Sequence, residues 1–394
     1  MRREPFKEGY PGRLVETGSG VLAFVPDPLP PRAIPVDMAL LKANGAAHAA
    51  LGALQMAFPP EDYDPFLMVH PLLGREAVCS SRMEGTFTTP RELALFDIGG
   101  GVEPKVRGRV DAETREVVNY IRAVRKGLSL IREENLPVCH RLIRAAHAVL
   151  MEGVRGSTSR PGEYRRDQNY IGRRVDGIGG ARFVPPPPGE VPAAMDRLEA
   201  FINTEATRAG SIDLLVAFAL IHYQFETIHP FEDGNGRIGR MLIPLLMVEK
   251  GLLKEPLLHL SPVLEKRKEE YVERMLAVSR EGDWRGWLLF FLEVVEKAAG
   301  ETVAKAASLR RLRAAYDEKV LTRRSSALLP RLLDEVFRRN SITIKDAATI
   351  LRVTEPQAAA HIHRLEALQI LEEMTGNAKY QRFACPDIMG IIFE

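Results

Sequence analysis

A glycine-rich connection between two apolar helices constrains the fold of this chain more than any other feature of its sequence. It lies within His229-Pro-Phe-Glu-Asp-Gly-Asn-Gly-Arg-Ile-Gly-Arg240. On either side, apolar residues at helical spacing predict helices over 211–227 and 237–250. The small side chains of the connection let the chain lead straight into the second helix. The centre of the protein is therefore expected to be mainly α-helical.

Further helices are predicted wherever apolar residues recur three and four positions apart. They begin at Val36 and continue over 72–83, 114–133, 138–151, 191–203, 264–279 and 284–299. Gly85 lies just after the helix over 72–83, where a helix commonly ends because glycine adopts the left-handed conformation at little cost. The first forty residues contain five prolines between positions 26 and 35, which predicts an irregular arm on the surface.

Strands are predicted at only one place before the carboxyl-terminal part of the chain. The segments 169–171 and 181–184 flank a turn-rich stretch, Asp176-Gly-Ile-Gly-Gly180. Two short strand-like segments around such a stretch are typical of a β-hairpin. The predicted fold class is thus mainly α, with one β-hairpin attached to a helical core.

The last seventy residues predict a compact module of three helices and a hairpin. Helices over 328–339 and 344–351 precede a third that begins at Thr354, where Gln357 completes a capping box. Strand-like segments at 370–373 and 379–384 follow. This order resembles a winged helix-turn-helix.

Four segments are expected along the chain. They are an N-terminal arm and helical region, a central domain, a basic helical connector and the C-terminal winged helix-turn-helix, at 1–112, 113–300, 301–324 and 325–394. A chain of 394 residues is longer than one hydrophobic core usually grows, which agrees with such a division.

Charge, cysteine content and hydropathy exclude several kinds of protein. Lys and Arg number 54 against 52 Asp and Glu, so the whole chain has no electrostatic preference for nucleic acid or membrane. Three widely spaced cysteines fit neither a disulfide framework nor a zinc site. No apolar run has the length of a membrane span, and the amino terminus lacks the apolar centre of a signal peptide. We expect a cytoplasmic protein with no membrane partner.

The glycine-rich connection has the features of a phosphate site. Backbone N–H groups of Gly234, Asn235 and Gly236 stand at the positive end of the following helix, which suits an anion. Arg237 and Arg240 are three residues apart on one face of that helix, so both guanidinium groups are expected to reach phosphate oxygens. Two arginines indicate more than one phosphate.

Two further residues predict chemistry beside the phosphates. Asp233 lies just before the glycines, and one carboxylate together with phosphate oxygens and water is a common way to hold Mg²⁺. His229 ends the preceding helix, and an imidazole with a pKa of about 6.5 accepts a proton from a hydroxyl group near neutral pH. We expect a Mg-nucleotide as ligand and His229 as general base.

The whole twelve-residue segment resembles the Fic family, whose pattern His-Pro-Phe-x-(Asp/Glu)-Gly-Asn-Gly-Arg-x-x-Arg it matches without a gap. The resemblance implies that 113–300 is a Fic catalytic domain that transfers AMP from Mg-ATP to a Ser, Thr or Tyr hydroxyl of a target protein. His229 would be the catalytic base and Asp233 the metal ligand. Gly234, Asn235, Gly236, Arg237 and Arg240 would bind the phosphates.

Two more regions share the resemblance. The hairpin at 169–184 is similar to the family's flap, which holds a target segment by strand addition, here through Asn169, Tyr170 and Ile171. Tyr271 would line the adenine pocket, although a tyrosine in a helix also serves simply in packing.

Ser80-Ser-Arg-Met-Glu-Gly85 resembles the family's inhibitory motif. Ser80 and Glu84 are one helical turn apart, and a Glu84 carboxylate paired with Arg240 would occupy the place of a terminal phosphate. The alternative is an ordinary surface glutamate near the end of a helix. Because both motifs lie in one chain, inhibition is expected in cis, and a homodimer could tighten or release it.

Alternative functions remain open at this level. The same motif could remove AMP from a target or transfer another phosphate-containing group. A different class is a DNA-binding regulator that uses the winged helix. Residues 325–394 hold eight Lys or Arg against nine Asp or Glu, a net charge of −1, whereas DNA contact usually requires a basic face. For this module, protein contact or dimerisation is therefore favoured over DNA binding. The expected partner of the central domain is an unknown target protein, which could be the protein itself.

Overall fold

The computed structural model describes residues 6–18, 20–58, 66–95, 112–154, 160–172, 175, 177–204, 212–321, 327–339, 341–377 and 379–393. These residues are mainly α-helical, as predicted. Contacts divide the chain into two compact units, Met1–Leu51 with Arg122–Ala298 and Gly52–Ile121 with Ala299–Glu394. This division differs from the four predicted segments. Within the described residues, no helix combines the length and the apolar composition needed to cross a bilayer.

The N-terminal arm is not irregular, so that prediction was wrong. Strands β1 (Gly12–Glu16) and β2 (Leu22–Pro26) pair antiparallel with Leu14 opposite Phe24. The prolines lie at the end of β2 and beyond it, so they leave the pairing intact. Phe24 is fully buried against Phe183, which explains why this segment forms a strand that packs on the core.

The helices that precede the C-terminal module follow the predicted order, except that a short helix at Pro90–Ala94 was not predicted and the predicted helix over 264–279 is divided at Arg267. They are α1 Met38–Met56, α2 Phe66–Met83, α3 Pro90–Ala94, α4 Ala112–Glu133, α5 His140–Leu150, α6 Val191–Ile202, α7 Leu214–Ile228, α8 Asn235–Glu249, α9 Ser261–Lys266, α10 Lys268–Glu281 and α11 Trp284–Val320. Helix α7 forms the centre of the first unit, because every residue from Leu215 to Ile228 is buried. The Asp213 carboxylate caps its start by accepting from Leu215 N–H at 2.9 Å.

Helix α11 continues 21 residues beyond its predicted end at 299. The reason is that its buried positions keep helical spacing through the second unit. These positions are Thr302, Ala306, Leu309, Arg313, Tyr316 and Val320. The predicted connector at 301–324 is therefore helical as far as Val320, and the predicted boundary at 300 falls inside a continuous helix.

The C-terminal module contains the three predicted helices, α12 (Leu328–Arg338), α13 (Ile344–Leu351) and α14 (Glu355–Ala367). The capping box at Thr354 and Gln357 is confirmed. Strands β3 (Ile342–Thr343), β4 (Glu372–Glu373) and β5 (Arg382–Ala384) form an antiparallel sheet in the order β3-β5-β4. Strands β4 and β5 are shorter than predicted, while β3 and the final helix α15 (Pro386–Phe393) were not predicted. The order of elements agrees with a winged helix-turn-helix, and that assignment stays a prediction.

A candidate nucleotide site between helices α7 and α8

His229 ends helix α7 in the left-handed conformation, with φ 51° and ψ 60°. Its N–H still donates to the Phe225 carbonyl at 3.0 Å, so the residue remains tied to the helix. The ring Nδ1 lies 3.2 Å from the Glu226 carbonyl oxygen. A carbonyl only accepts hydrogen bonds, so Nδ1 carries the proton and Nε2 of the neutral ring carries the lone pair. This contact orients the partly exposed imidazole so that Nε2 is the nitrogen available to act as a general base.

The connecting loop, residues 229–234, is closed by the side chain of Asn235. Its Oδ1 accepts from Phe231 N–H at 2.8 Å and its Nδ2 donates to the Phe231 carbonyl at 2.8 Å. The Asn235 amide therefore shapes the loop, and only its backbone N–H remains to contribute to phosphate binding as predicted. Gly234 has φ 78°, and a Cβ there would lie 3.1 Å from the Met151 sulfur, so only glycine fits without strain.

Helix α8 begins directly after the loop, and it carries both predicted arginines. The first N–H groups of a helix have no partner within it, so the start of α8 offers donors to an anion. Arg237 and Arg240 are each 2% exposed. Two guanidinium groups buried this close to a helix start create positive potential at its surface. The structure thus brings His229, Gly234, Asn235, Gly236 and both arginines together within one loop and the first turns of one helix.

Asp233 stands at the entrance of this site. Its side chain is 48% exposed, its Oδ1 accepts from Gly234 N–H at 2.5 Å, and Arg237 Nη2 lies 3.4 Å from the same oxygen. Within the described residues, no three His, Cys, Asp or Glu side chains are grouped to hold a metal ion. A cation here would need most of its oxygens from its ligand and water, which fits Mg²⁺ bound with a nucleotide.

His147 supports the connecting loop and was not predicted. Its ring stacks on Phe231 with centroids 3.7 Å apart, its Nδ1 accepts from Gly162 N–H at 2.9 Å, and its Nε2 donates to the Asp233 carbonyl at 3.0 Å. Burial lowers the pKa of His147 to about 4, so the ring is neutral near pH 7. A histidine on the buried side of a predicted helix gives no sequence signal for this role.

Arg165 also contacts the loop and was not predicted. The residue is 4% exposed, and its Nε donates to the His229 carbonyl at 2.9 Å. Its backbone N–H donates to the Pro230 carbonyl at 2.9 Å. The segment Pro161-Gly-Glu-Tyr-Arg165 lies between a predicted helix and the predicted hairpin, and a buried charge cannot be recognised from that position alone.

The predicted β-hairpin at 169–184 is not a regular hairpin. Its described residues form a single antiparallel bridge between Ile171 and Phe183, and a 3₁₀ turn occupies Ile178–Gly180. A glycine-rich centre favours turns over continued pairing. The Asn169 side chain donates to the Phe231 carbonyl at 3.1 Å, so it joins the flap to the connecting loop. Tyr170 and Ile171 are partly exposed, and target docking by all three residues stays a prediction.

Tyr271 belongs to the core of the first unit. Its hydroxyl donates to His222 Nε2 at 2.8 Å, while His222 Nδ1 donates to the Gly239 carbonyl at 3.1 Å. Complete burial lowers the pKa of His222 to about 3, so this ring is neutral. The Tyr271 ring packs beside Trp287. Packing accounts for this tyrosine, and its predicted contact with adenine gains no support from its position.

Ser80 and Glu84 lie in the second unit. Helix α2 ends at Met83, and Gly85 adopts φ 87° after it, as the sequence predicts. Ser80 is buried near the end of this helix, and Glu84 is exposed in the turn that follows. The two side chains therefore differ in exposure, and the pairing of Glu84 with Arg240 stays a prediction.

Comparisons with known proteins agree on one family. The family model of the Fic/DOC family matches residues 137–247, and that of the Fic/DOC family N-terminal region matches residues 41–129. Over 136 residues, the chain is 32% identical to protein adenylyltransferase Fic of Drosophila mojavensis and 31% identical to that of Drosophila melanogaster. This match covers 34% of the chain and about a quarter, 24%, of each relative.

Solved structures share the fold at lower sequence identity. A Fic family protein from Desulfovibrio desulfuricans G20 is similar with a TM-score of 0.54 and 21% identity, covering 91% of this chain and 98% of that one. Residues 134–508 of Fic-1 from C. elegans give a TM-score of 0.50 and 20% identity, with 69% and 74% covered.

Proposed function

Because the chain belongs to the Fic/DOC family, we propose that it is a protein adenylyltransferase. It transfers the AMP part of Mg-ATP to a Ser, Thr or Tyr hydroxyl of a target protein. The observation that carries this proposal is the geometry around the connecting loop. A partly exposed imidazole with its proton fixed on Nδ1 precedes a helix start that has two buried arginines.

His229 acts as the general base. Its Nε2 takes the proton from the target hydroxyl as that oxygen forms a bond to the α-phosphorus. The bond between the α-phosphorus and the bridging oxygen breaks, and pyrophosphate leaves with the electron pair. The products are an AMP ester of the target and pyrophosphate. A base held at hydrogen-bonding distance from the attacking group typically contributes a factor of about 10² to 10⁴ in rate.

The remaining residues hold the triphosphate. Backbone N–H groups at Asn235 and Gly236 bind phosphate oxygens, and Arg237 and Arg240 balance the negative charge. Asp233 would hold Mg²⁺, which neutralises phosphate charge when bound. One carboxylate suffices for this, because phosphate oxygens and water supply the other ligands.

Glu84 is the proposed inhibitor of this reaction. Its carboxylate would pair with Arg240 and keep ATP from binding productively, with Ser80 as the second residue of the inhibitory motif. Glu84 lies exposed in the turn directly after the end of helix α2, and this position supports the role. The target is a protein hydroxyl of unknown identity, which could belong to this protein itself, and a homodimer is a further proposal.

The test is incubation with Mg-ATP labelled in the α-phosphate, using a Glu84→Gly variant. Mass spectrometry should find AMP on a side-chain hydroxyl, either of the protein or of an added target. The Glu84→Gly/His229→Ala double variant is the control and should carry no label. Hydrolysis of ATP without label on any hydroxyl would refute the proposal, as would labelling that survives the loss of His229.

A further inference from the structure

Arg165 joins the connecting loop to both ends of the flap. While its Nε holds the His229 carbonyl, its Nη2 donates to the Pro186 carbonyl at 2.5 Å and its Nη1 to the Asp167 carbonyl at 3.2 Å. Asp167 lies just before the flap and Pro186 just after it. One rigid guanidinium plane therefore touches three segments that are separate in sequence.

Among the described residues, the Arg165 guanidinium group donates hydrogen bonds to backbone carbonyl groups and to no carboxylate. Its Nη2 also lies 3.4 Å from the Ile228 carbonyl, and each of its side-chain hydrogen bonds within the described residues ends on a backbone oxygen. The carbonyls of Ile228 and His229 end helix α7, where the helix has no N–H groups left to donate and a cation is favourable. Burial lowers the pKa of Arg165 to about 10, so the group stays charged near pH 7.

We propose that Arg165 is a positioning residue for the transfer reaction, an inference that rests on the proposed function. The left-handed backbone of His229 decides where its ring points, and the flap decides where a target hydroxyl lies. The guanidinium group fixes these two parts relative to each other. Lysine keeps the charge but has a single nitrogen, so it cannot reach all three segments at once.

The test compares Arg165→Lys with Arg144→Lys, both in the Glu84→Gly variant. Arg144 also donates from Nε to a backbone carbonyl, that of Gly162, but within the described part of the chain it makes no hydrogen bond to the connecting loop. At saturating ATP, Arg165→Lys should label about tenfold to a hundredfold more slowly, as expected for misplaced reacting groups. The ATP concentration for half-maximal rate should stay within about twofold, because the phosphate residues are intact. Arg144→Lys should match its parent.

Thermal unfolding separates positioning from stability. Arg165→Lys keeps a cation at the end of α7 and should retain most of the melting temperature, whereas Arg165→Met should lose several degrees and the rate as well. If Arg165→Lys labels as fast as Arg144→Lys well below both melting temperatures, the inference is overturned. If the Glu84→Gly parent carries no label at all, the proposed function fails instead.

The C-terminal module contacts the chain both before and after Glu84, and all of these contacts lie within the second unit. Before Glu84, helix α2 packs against α12 and α15, and Pro71 lines a small cavity together with Val336 and Ile388. After Glu84, helix α3 places Ala94 in a cluster with Met374 and Ala384.

We call these contacts on both sides of Glu84 the clamp. On the side that follows Glu84, the clamp also includes a hydrogen bond. Arg91 of α3 donates from Nη2 to the Met374 carbonyl at 3.2 Å. Met374 therefore contacts the segment through both its side chain and its backbone. The turn that carries Glu84 is tied on both sides to residues more than two hundred positions away in sequence.

The geometry points to the C-terminal module as the part that sets the position of Glu84, an inference that also rests on the proposed function. A module that holds both flanks limits where the exposed carboxylate can lie. Anything that loosens the clamp would then release inhibition without altering the catalytic residues. Regulation would come from packing, since the buried apolar cluster favours one arrangement of the segment.

Met374→Asp tests this clamp, because it places an unpaired charge in the cluster. Labelling should rise at least about fivefold in the otherwise unchanged protein and should not rise further when Glu84→Gly is already present, since both changes remove the same inhibition. Tyr380→Asp, at a position that is 84% exposed in the same module, is the control. It should leave labelling unchanged both in the otherwise unchanged protein and in the Glu84→Gly variant. A circular dichroism melt confirms that each variant is folded at the assay temperature.

Two outcomes of this experiment are distinct. Equal labelling by Met374→Asp and Tyr380→Asp, with Glu84→Gly strongly active, overturns the clamp and leaves the proposed function intact. A Met374→Asp effect that adds to that of Glu84→Gly overturns it too, because the module would then act elsewhere.

Discussion

The side chain of Asn235 is the main brace of the connecting loop, since it both donates to and accepts from the backbone of Phe231. Asn235→Ala removes both hydrogen bonds and is expected to cost about 2 kcal/mol of unfolding free energy. Urea denaturation followed by circular dichroism measures the loss. Asn377→Ala, at an exposed turn of the C-terminal module, is the control and should change stability by less than about 0.5 kcal/mol. If the two variants were equally stable, the Asn235 side chain would not stabilise the connecting loop as proposed.

His147 predicts a dependence of stability on pH. Its pKa is about 4 in the folded protein, below the ordinary value of 6.5, so the unfolded chain binds more protons between these two values. Stability is therefore lost as the pH falls from 6.5 toward 4, by up to about 3 kcal/mol from this residue. His147→Gln should flatten the curve of unfolding free energy against pH in that window. Parallel curves for the two proteins would show that His147 is not responsible.

At the scale of residues, sequence reasoning identified candidate groups for binding a nucleotide and missed the residues that hold their loop. His229, Asp233 and the arginines stand in one continuous pattern whose chemistry can be read from residue type. His147 and Arg165 reach the same loop from elsewhere in the chain. Their role depends on burial and on which backbone oxygens lie within hydrogen-bonding distance. Neither property can be predicted from the neighbouring residues in the sequence.

At the scale of elements, strand β2 supports the base of the flap. Phe24 N–H donates to the Val184 carbonyl at 2.9 Å, and the Phe24 and Phe183 rings are 5.8 Å apart. Phe24→Ala is expected to destabilise the protein by about 3 to 5 kcal/mol. Chemical denaturation measures this, with Phe87→Ala as control because Phe87 is 63% exposed. A loss below about 1 kcal/mol would mean that β2 is only loosely attached.

Helices were predictable because long stretches repeat apolar residues every three or four positions. Strands β1 and β2 were not predicted because their apolar stretches are short. Strands β1 and β2 have five residues each, too few for a clear alternation beside so many prolines. The flap shows the opposite error. Its residues have the composition of a hairpin, yet among those that the structure describes only Ile171 and Phe183 pair. Whether strands of so few residues pair depends on the parts of the chain that pack against them.

At the scale of the whole molecule, Glu84→Gly is expected to raise AMP labelling about tenfold or more, since a charge-assisted contact is worth roughly 1.5 to 3 kcal/mol. Control in cis further predicts that the ratio of variant to wild-type labelling stays constant when the protein is diluted. Glu355→Gly, which removes an exposed carboxylate from helix α14 of the C-terminal module, tests whether loss of any glutamate suffices. Equal labelling of wild type and Glu84→Gly would remove the inhibitory assignment.

Asn235 is followed by Gly236, the neighbour that leaves an asparagine most open to attack by the next main-chain nitrogen, with loss of ammonia. In the folded protein, helix geometry and the two bonds to Phe231 keep the amide away from that nitrogen. Each time the connecting loop opens, the Asn235 amide can convert slowly and irreversibly into a carboxylate, which cannot donate to Phe231. The chemical ageing of the protein should therefore begin at its own phosphate-binding corner, and a bound nucleotide should delay it.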